Sequence, residues 1–241
     1  MQLMISIADG RYKIFRLNTV RCSCYVIQYG NVNILIDTST KMERKRLVRE
    51  LSNHSINNIN AIFITHNHTD HIGNAQWISE KYNCKIFISP LSLHDASLGS
   101  CRMPNPTNFT GKIICFAATK GTRIFDFSKY EACKNIFALS DEVVEYYLGS
   151  KVILKKTEGH TEDSMSFIIN NKVAIVGDAM VNKFGKIYPP FANDERRLIV
   201  TWKRLIDTKA VLFLPAHGKP ITKKDLIKQY NSRNVPFRSM Y

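Results

Sequence analysis

The chain is predicted to be an α+β protein, a four-layer αββα sandwich in which two β-sheets pack face to face with helices outside. Two observations predict it. Strand-like runs come in two sets, each followed by helical stretches, as expected when each sheet covers its outer face with helices. No internal repeat, low-complexity tract or linker divides the 241 residues, so both sets are expected to share a single domain spanning residues 1–241, long enough to bury a sizeable core. Hydrophobic residues make up 44% and charged residues 22%, the balance of an ordinary globular chain in water.

In the first set, β-type runs fall at residues 14–17, 24–28, 32–36 and 59–65. Between the last two, residues 42–51 place Leu47, Val48 and Leu51 on one helical stripe with basic residues opposite. Residues 74–82 read as a helix and 85–89 as a strand stopped by Pro90. Regularity is lowest from about residue 91 to 148, a variable stretch holding Met103-Pro104-Asn105-Pro106, Gly111 and Gly121. The second set has strands at 152–155, 164–169 and 173–176. Leu198, Ile199, Trp202, Leu205 and Ile206 then follow the spacing of an amphipathic helix, 211–214 reads as a buried strand, and 223–230 as a closing helix.

The start of the chain lacks a basic region followed by a long apolar run, and no stretch reaches the roughly 20 apolar residues of a membrane span. Six cysteines, with Cys22 and Cys24 close together, show neither C-x-x-C spacing nor a secreted framework, so they read as free thiols of a cytoplasmic protein. The net charge of +14, from 34 Lys plus Arg against 20 Asp plus Glu, admits an anionic partner. The basic residues are dispersed along several helices rather than gathered in one block, so nucleic acid is admitted but not favoured as a partner.

The chemistry concentrates in Thr65-His66-Asn67-His68-Thr69-Asp70-His71, directly after the apolar run Ala61-Ile62-Phe63-Ile64. Imidazole nitrogens and carboxylate oxygens are the ligands that zinc and similar divalent metals take. In an extended segment His66 and His68 project to one side and can converge on one ion. If a helix begins near Asp70, then Asp70 and His71 point elsewhere and can hold a second ion nearby. Three further candidates lie where strands give way to loops: His160 in Gly159-His160-Thr161, Asp178 after Gly177, and His217 in Pro215-Ala216-His217-Gly218. Strand ends let such side chains meet on a rim while the sheets hold them. His54 and His94 have no such company and read as ordinary.

With Leu35-Ile36-Asp37-Thr38, the H-x-H-x-D-H run, GHT, GDA and the final PAHG in this order, the chain resembles the metallo-β-lactamase fold superfamily over most of its length. The resemblance implies two mixed sheets in the sandwich. It implies that His66, His68 and His160 bind a first metal, that Asp70, His71 and His217 bind a second, and that Asp178 bridges them. Asp37 matches an aspartate that supports the site without ligating. The implied cofactors are two divalent ions, Zn²⁺ foremost with Fe²⁺ or Mn²⁺ as alternatives, and the implied nucleophile is a hydroxide bridging them. Asp70 would double as ligand and acid/base. Tyr188, in Ile187-Tyr188-Pro189-Pro190, is either a substrate contact or a loop aromatic set by the two prolines.

Departures narrow the branch. Asp178 is present where antibiotic-cleaving members typically lack the bridging aspartate. The interval from Asp178 to His217 is too short for the accessory segment of the RNA-processing branch. The Gly-Cys-Gly-Arg-type run of the persulfide-oxidising branch is absent after Asp178, and His68 is intact where the di-iron electron-transfer branch replaces it. What remains resembles the glyoxalase II-like and lactonase-like hydrolases, implying cleavage of an ester, thioester or lactone of a small molecule, with an anionic one admitted by the net charge and the stretch at about 91–148 as pocket wall. A phosphodiesterase or nuclease using the same ions is the alternative. A non-catalytic metal-binding protein is the third reading. Neither substrate nor oligomeric state can be read.

Overall fold

The computed structural model describes residues 4–8, 10–109, 111–113, 128–183 and 185–233. Part of the expected pocket wall, residues 114–127 with Gly121, lies outside the described residues.

Two mixed sheets form the centre. The first has seven strands in chain order: β1 Met4–Ile7, β2 Tyr12–Leu17, β3 Cys24–Tyr29, β4 Val32–Ile36, β5 Ala61–Phe63, β6 Lys85–Ile88 and β7 Ile136–Ala138. Pairing is antiparallel from β1 to β4 and parallel from β4 to β7. The second sheet comprises β8 Val152–Lys156, β9 Met165–Ile169, β10 Val173–Gly177, β11 Leu212–Pro215 and β12 Ile221–Thr222, in the order β12-β11-β10-β9-β8. Its β10 and β11 are parallel and its other neighbours antiparallel.

Side chains alternate across each sheet with the period of two that strands impose. Ile34, Ile36 and Phe63 face Phe167, Ile169, Ile175 and Leu214 of the other sheet, forming the core between them. Leu35 and Ile62 turn outward to meet Leu47 and Leu51 of helix α1 (Arg44–Asn53) and Ala75 and Ile78 of α3 (Ala75–Tyr82). A four-residue helix, α2 (Thr69–Ile72), precedes α3, and α4 spans Leu93–Ser97. On the far side, Ile168, Ala174 and Phe213 meet Leu198, Trp202 and Leu205 of α6 (Glu195–Ile206) and Leu226 of α7 (Lys223–Arg233). The expected αββα layering is present. None of the described helices is long and apolar enough to cross a membrane.

Besides α4, the irregular stretch holds a further helix and a strand. Helix α5 (Asp141–Leu148) begins at an N-cap, Ser140, whose hydroxyl accepts from the Val143 amide, and Asp141 and Glu142 fill its first turn. It does not join an outer layer. Val144 and Leu148 plug the core between the sheets, and its β-branched and aromatic residues suit that role better than they suit a helical pattern. β7 is a three-residue edge strand with half-exposed to exposed side chains, too short for alternation to register.

Parallel pairing decides where the chemistry goes. Ile36 stands opposite Phe63, and Gly177 opposite Pro215. The carboxyl ends of β4 and β5 therefore release Asp37 and Thr65 side by side, and those of β10 and β11 release Asp178 and His217. Ligand sites gather at such strand ends.

The core between the sheets turns on Phe63, which stacks on Phe167 at a centroid distance of 5.7 Å and meets Phe87 and Tyr147 edge-on. Phe63→Ala is expected to cost about 3–5 kcal/mol in urea unfolding. A loss below about 1 kcal/mol would show that the sheets do not depend on this contact.

Candidate metal centre

The loop after β5 carries the first ligands. Thr65 is fixed by Asp37, whose Oδ1 accepts the Thr65 amide at 2.8 Å and whose Oδ2 accepts the Thr65 hydroxyl at 2.8 Å. His68 keeps an extended backbone, φ −113° and ψ 149°, as the residue that opens α2. Asp70 and His71 then lie within that helix and project to a different side, as the spacing predicts. His160 and Asp178 each follow a glycine with positive φ. At Gly159 (φ +131°) a Cβ would meet the Leu198 amide nitrogen at 2.4 Å, and at Gly177 (φ +51°) it would meet Thr65 Oγ1 at 2.8 Å. Gly177 lets the second sheet approach the loop of the first, and Gly159 lets the turn before His160 lie against the start of α6.

All seven expected ligands converge. His66 Nε2 lies 2.9 Å from His68 Nδ1, and His160 Nε2 lies 3.1 Å from the same nitrogen. Ligand atoms of a tetrahedral ion with 2.0–2.1 Å bonds sit about 3.3 Å apart, close to this spacing. His217 Nε2 is 3.3 Å from both Asp70 Oδ2 and Asp178 Oδ2. Asp178 Oδ2 also lies 3.6 Å from His160 Nε2, while its Oδ1 lies 3.6 Å from His71 Nε2. Its two oxygens thus look to different histidines. His66, His68 and His160 form one group that could hold a metal, and Asp70, His71 and His217 another.

Two atoms test whether these residues fit a metal. His71 Nε2 and Asp178 Oδ1 are buried without a hydrogen-bond partner, and they face each other at 3.6 Å. A buried polar atom left unpaired costs about 1–3 kcal/mol. When the His71 ring is neutral with its proton on Nδ1, both atoms present lone pairs to one point, and a cation placed there satisfies both. The residues fit a divalent metal.

The supports set the tautomers. His71 Nδ1 donates to Asp37 Oδ2 at 2.8 Å, and His160 Nδ1 donates to the Phe191 carbonyl at 2.9 Å. Both acceptors lack a proton to give, so each Nδ1 carries the hydrogen and each Nε2 keeps its lone pair for an ion. Asp37 thus supports the site from behind its ligands. Sequence reasoning missed the Phe191 carbonyl, because a backbone acceptor leaves no mark in residue type. It also missed Thr65, the residue just before the first histidine. Cys22 packs with its Sγ 3.8 Å from His71 Nδ1, and burial pushes its thiol well above the ordinary range. It is a neutral neighbour of the site.

Tyr188 lies elsewhere. It is buried against Trp202 in the outer core, its hydroxyl donates to Glu195, and the Arg233 guanidinium lies 3.6 Å from its ring centre. Its donor is committed within the fold, so the structure favours the loop aromatic over the substrate contact. His54 packs at a tilt against Phe15, ring centres 5.1 Å apart, and stays apart from the cluster.

Electrostatics divide the site in two. Burial, reinforced by neighbouring histidines, lowers His66 well below the usual range and His68 to about 3; burial likewise lowers His160. For His71 and His217 burial also opposes protonation, but carboxylates outweigh it: Asp37, Asp70 and Asp178 raise His71 well above its ordinary value, and Asp178 with Asp70 raises His217 to about 9. Asp70 and Asp178 resist the upward push of burial and are held ionised by His71 and His217. The side chains of Asp70, His217 and Asp178 are 32%, 14% and 11% exposed, against 0% for His71, so the centre opens to solvent on the Asp70 side.

Residues 17–97 match the sequence model of the metallo-beta-lactamase superfamily. The chain is 24% identical over 216 residues to an uncharacterized protein of Mycobacterium leprae, covering 86% of this chain and 91% of that one. It is 29% identical over 151 residues to a protein of Methanocaldococcus jannaschii named as a probable metallo-hydrolase, covering 63% of this chain and 64% of that one. Among solved structures it is similar to an archaeal metallo-beta-lactamase superfamily protein of Sulfolobus tokodaii, with a TM-score of 0.63, 18% identity and coverage of 91% and 85%. It is also similar to a protein solved in a di-iron-bound form, with a TM-score of 0.61, 18% identity and coverage of 98% and 99%. At that identity the likeness shows the fold.

Two predictions follow from the supports and the charges. Asp37→Asn places an amide N–H against His71 Nδ1 and drives the ring proton to Nε2, so Zn²⁺ affinity in chelator competition should fall about 10- to 100-fold; unchanged affinity would remove Asp37 from the site. Histidine must be neutral to ligate. Affinity at the Asp70, His71 and His217 position should therefore climb as pH rises from 7 through about 9, where His217 loses its proton, because His71, raised as well, must also give up its proton to ligate. The His66, His68 and His160 position should be flat over that range. Zn²⁺ titrations at several pH values that rise equally at both positions would contradict this division.

Proposed function

The chain belongs to the metallo-beta-lactamase superfamily by its fold and by the match over residues 17–97, and we propose that it is a glyoxalase II-like or lactonase-like hydrolase that cleaves an ester, thioester or lactone of a small molecule with two divalent ions. The observation that carries this is the pair of orphaned atoms, His71 Nε2 and Asp178 Oδ1, facing each other inside a seven-residue ligand cluster. A closed structural zinc site needs four ligands, and seven from four segments suit two ions with positions to spare.

In this reading His66, His68 and His160 would hold one ion, Asp70, His71 and His217 the other, with Asp178 within reach of both groups. Ions held there, Zn²⁺ foremost and Fe²⁺ or Mn²⁺ as alternatives, supply Lewis acidity toward a carbonyl and acidify water near neutral pH. The chain's own residues supply the rest. The His66, His68 and His160 imidazoles are neutral and already converged, so binding costs little reorganisation. Asp70, ionised and open at the mouth, is placed to accept a proton from the attacking water. A net charge of +14 favours an anionic substrate. Cys22, Cys24, Cys84 and Cys133 are buried thiols, which suits a reducing cytoplasm.

A second reading, phosphodiester cleavage at the same centre, is favoured by one observation. Lys155, Lys156, Arg204 and Lys209 line a single groove together with Thr157, three residues before His160. A parallel assay on thioesters, lactones and activated phosphodiesters, with metal content measured on the same sample, separates the two. Chelator-sensitive hydrolysis of a carboxylic ester, thioester or lactone is expected, with His68→Ala about 100-fold slower or worse, a loss of several kcal/mol in transition-state stabilisation. Turnover of the phosphodiesters alone would replace the first reading by the second. Less than one metal per chain with no chelator-sensitive activity would leave a binding protein.

A further inference from the structure

Asn67 stands between two of the candidate ligands, so the orientation of its peptide sets how the His66 and His68 rings are spaced. Its backbone N–H donates to Asp163 Oδ2 at 2.8 Å, and the Ser92 hydroxyl donates to the same oxygen at 2.7 Å. Asp163 and Ser92 are each only 7% exposed. A carboxylate withdrawn this far from water is retained at a cost unless it serves donors, and these two donors come from separate segments of the chain. One belongs to the loop of the H-x-H run. The other opens the irregular stretch expected to form the pocket wall. Asp163 itself follows His160, the third member of the imidazole trio, by three residues.

The side chain of Asn67 is held as firmly as its backbone. Its Nδ2 donates to the Ser100 carbonyl at 3.0 Å, and the Tyr130 hydroxyl donates to its Oδ1. Its amide N–H and both polar atoms of its side chain are therefore engaged, and among the described residues Asp163 is the partner that reaches it from the second sheet's half.

We propose that Asp163 is a positioning residue, whose carboxylate locks the Asn67 peptide so that His66 and His68 meet His160 as one preformed metal position. The inference rests on those three histidines being ligands. Asp163 touches neither an ion nor a substrate; it acts through the peptide it holds. Because both donors use one oxygen, the charge matters less than the presence of an acceptor there. That distinguishes Asp163→Asn, which keeps an oxygen for both donors, from Asp163→Ala, which keeps none.

Co²⁺ titration of the full chain after chelator treatment, followed by visible absorption, tests this with the metal alone. Asp163→Ala is expected to bind Co²⁺ at the three-histidine position about 10- to 100-fold more weakly, the range found when a group supporting a metal ligand is lost. Its visible bands should also change, while Asp163→Asn restores both affinity and spectrum. A folded Asp163→Ala protein with wild-type affinity and spectrum overturns the proposal. If Asp163→Ala loses its circular dichroism signature, Ser92→Ala decides: weaker Co²⁺ binding in a folded protein supports the lock, and unchanged binding overturns it. Wild-type protein that takes up no Co²⁺ overturns the ligand reading beneath it.

Discussion

The Asp37 carboxylate is the interaction on which the rest of the site depends. It leaves β4 at the carboxyl end of a parallel pair, buried, with a positive φ of 59° that an aspartate tolerates better than most residues. It accepts three hydrogen bonds, from the Thr65 amide, the Thr65 hydroxyl and His71 Nδ1. The first two fix where the H-x-H-x-D-H loop departs from the sheet. The third fixes which nitrogen of His71 faces the cluster. Take the carboxylate away and both the position of the loop and the tautomer of a ligand become negotiable at once.

Why two sheets are needed follows from the same geometry. One sheet can line up ligands along an edge, but it cannot surround an ion. The first supplies His66, His68, Asp70 and His71 from a single loop and turn, and the second supplies His160, Asp178 and His217 from three separate strand ends. Close approach of the halves depends on contacts that leave no room for side chains, as at Gly177 against Thr65. It depends too on hydrogen bonds that cross between them, Met165 amide to Thr65 carbonyl and Ser23 amide to Ala216 carbonyl. The packing around Phe63 and Phe167 thus sets the distances between ligands several residues away.

Legibility in the sequence followed the kind of constraint. The candidate ligands were legible because metal chemistry dictates both residue type and spacing, and the fold brings these seven side chains together. The layering was legible because the near-continuous apolar runs of β4, β9 and β10 report strands buried on both faces, and the stripe on α6 reports a helix that covers one of those faces. Helix α5 was not, since its apolar residues answer to a gap between sheets; the Ser140 cap with Asp141 and Glu142 was the available signal. Asp163 reads as one more polar loop residue, and the Phe191 carbonyl has no residue-type signature at all. Supports whose work is done by backbone geometry are invisible to pattern, however central they are.

The two halves of the centre are electrically unlike, and this gives the cluster a direction. His66, His68 and His160 are buried, mutually repulsive as cations and therefore neutral. His71 and His217 are drawn toward the charged form by Asp37, Asp70 and Asp178. The neutral half sits deep and is tied on several sides. The charged half includes the most exposed ligands, Asp70 and His217. A reacting group arriving from solvent meets the carboxylate side first, with the preformed imidazole trio behind it. Charge compensation and access to water thus fall on the same half, which is where an ion can exchange ligands with least disturbance to the fold.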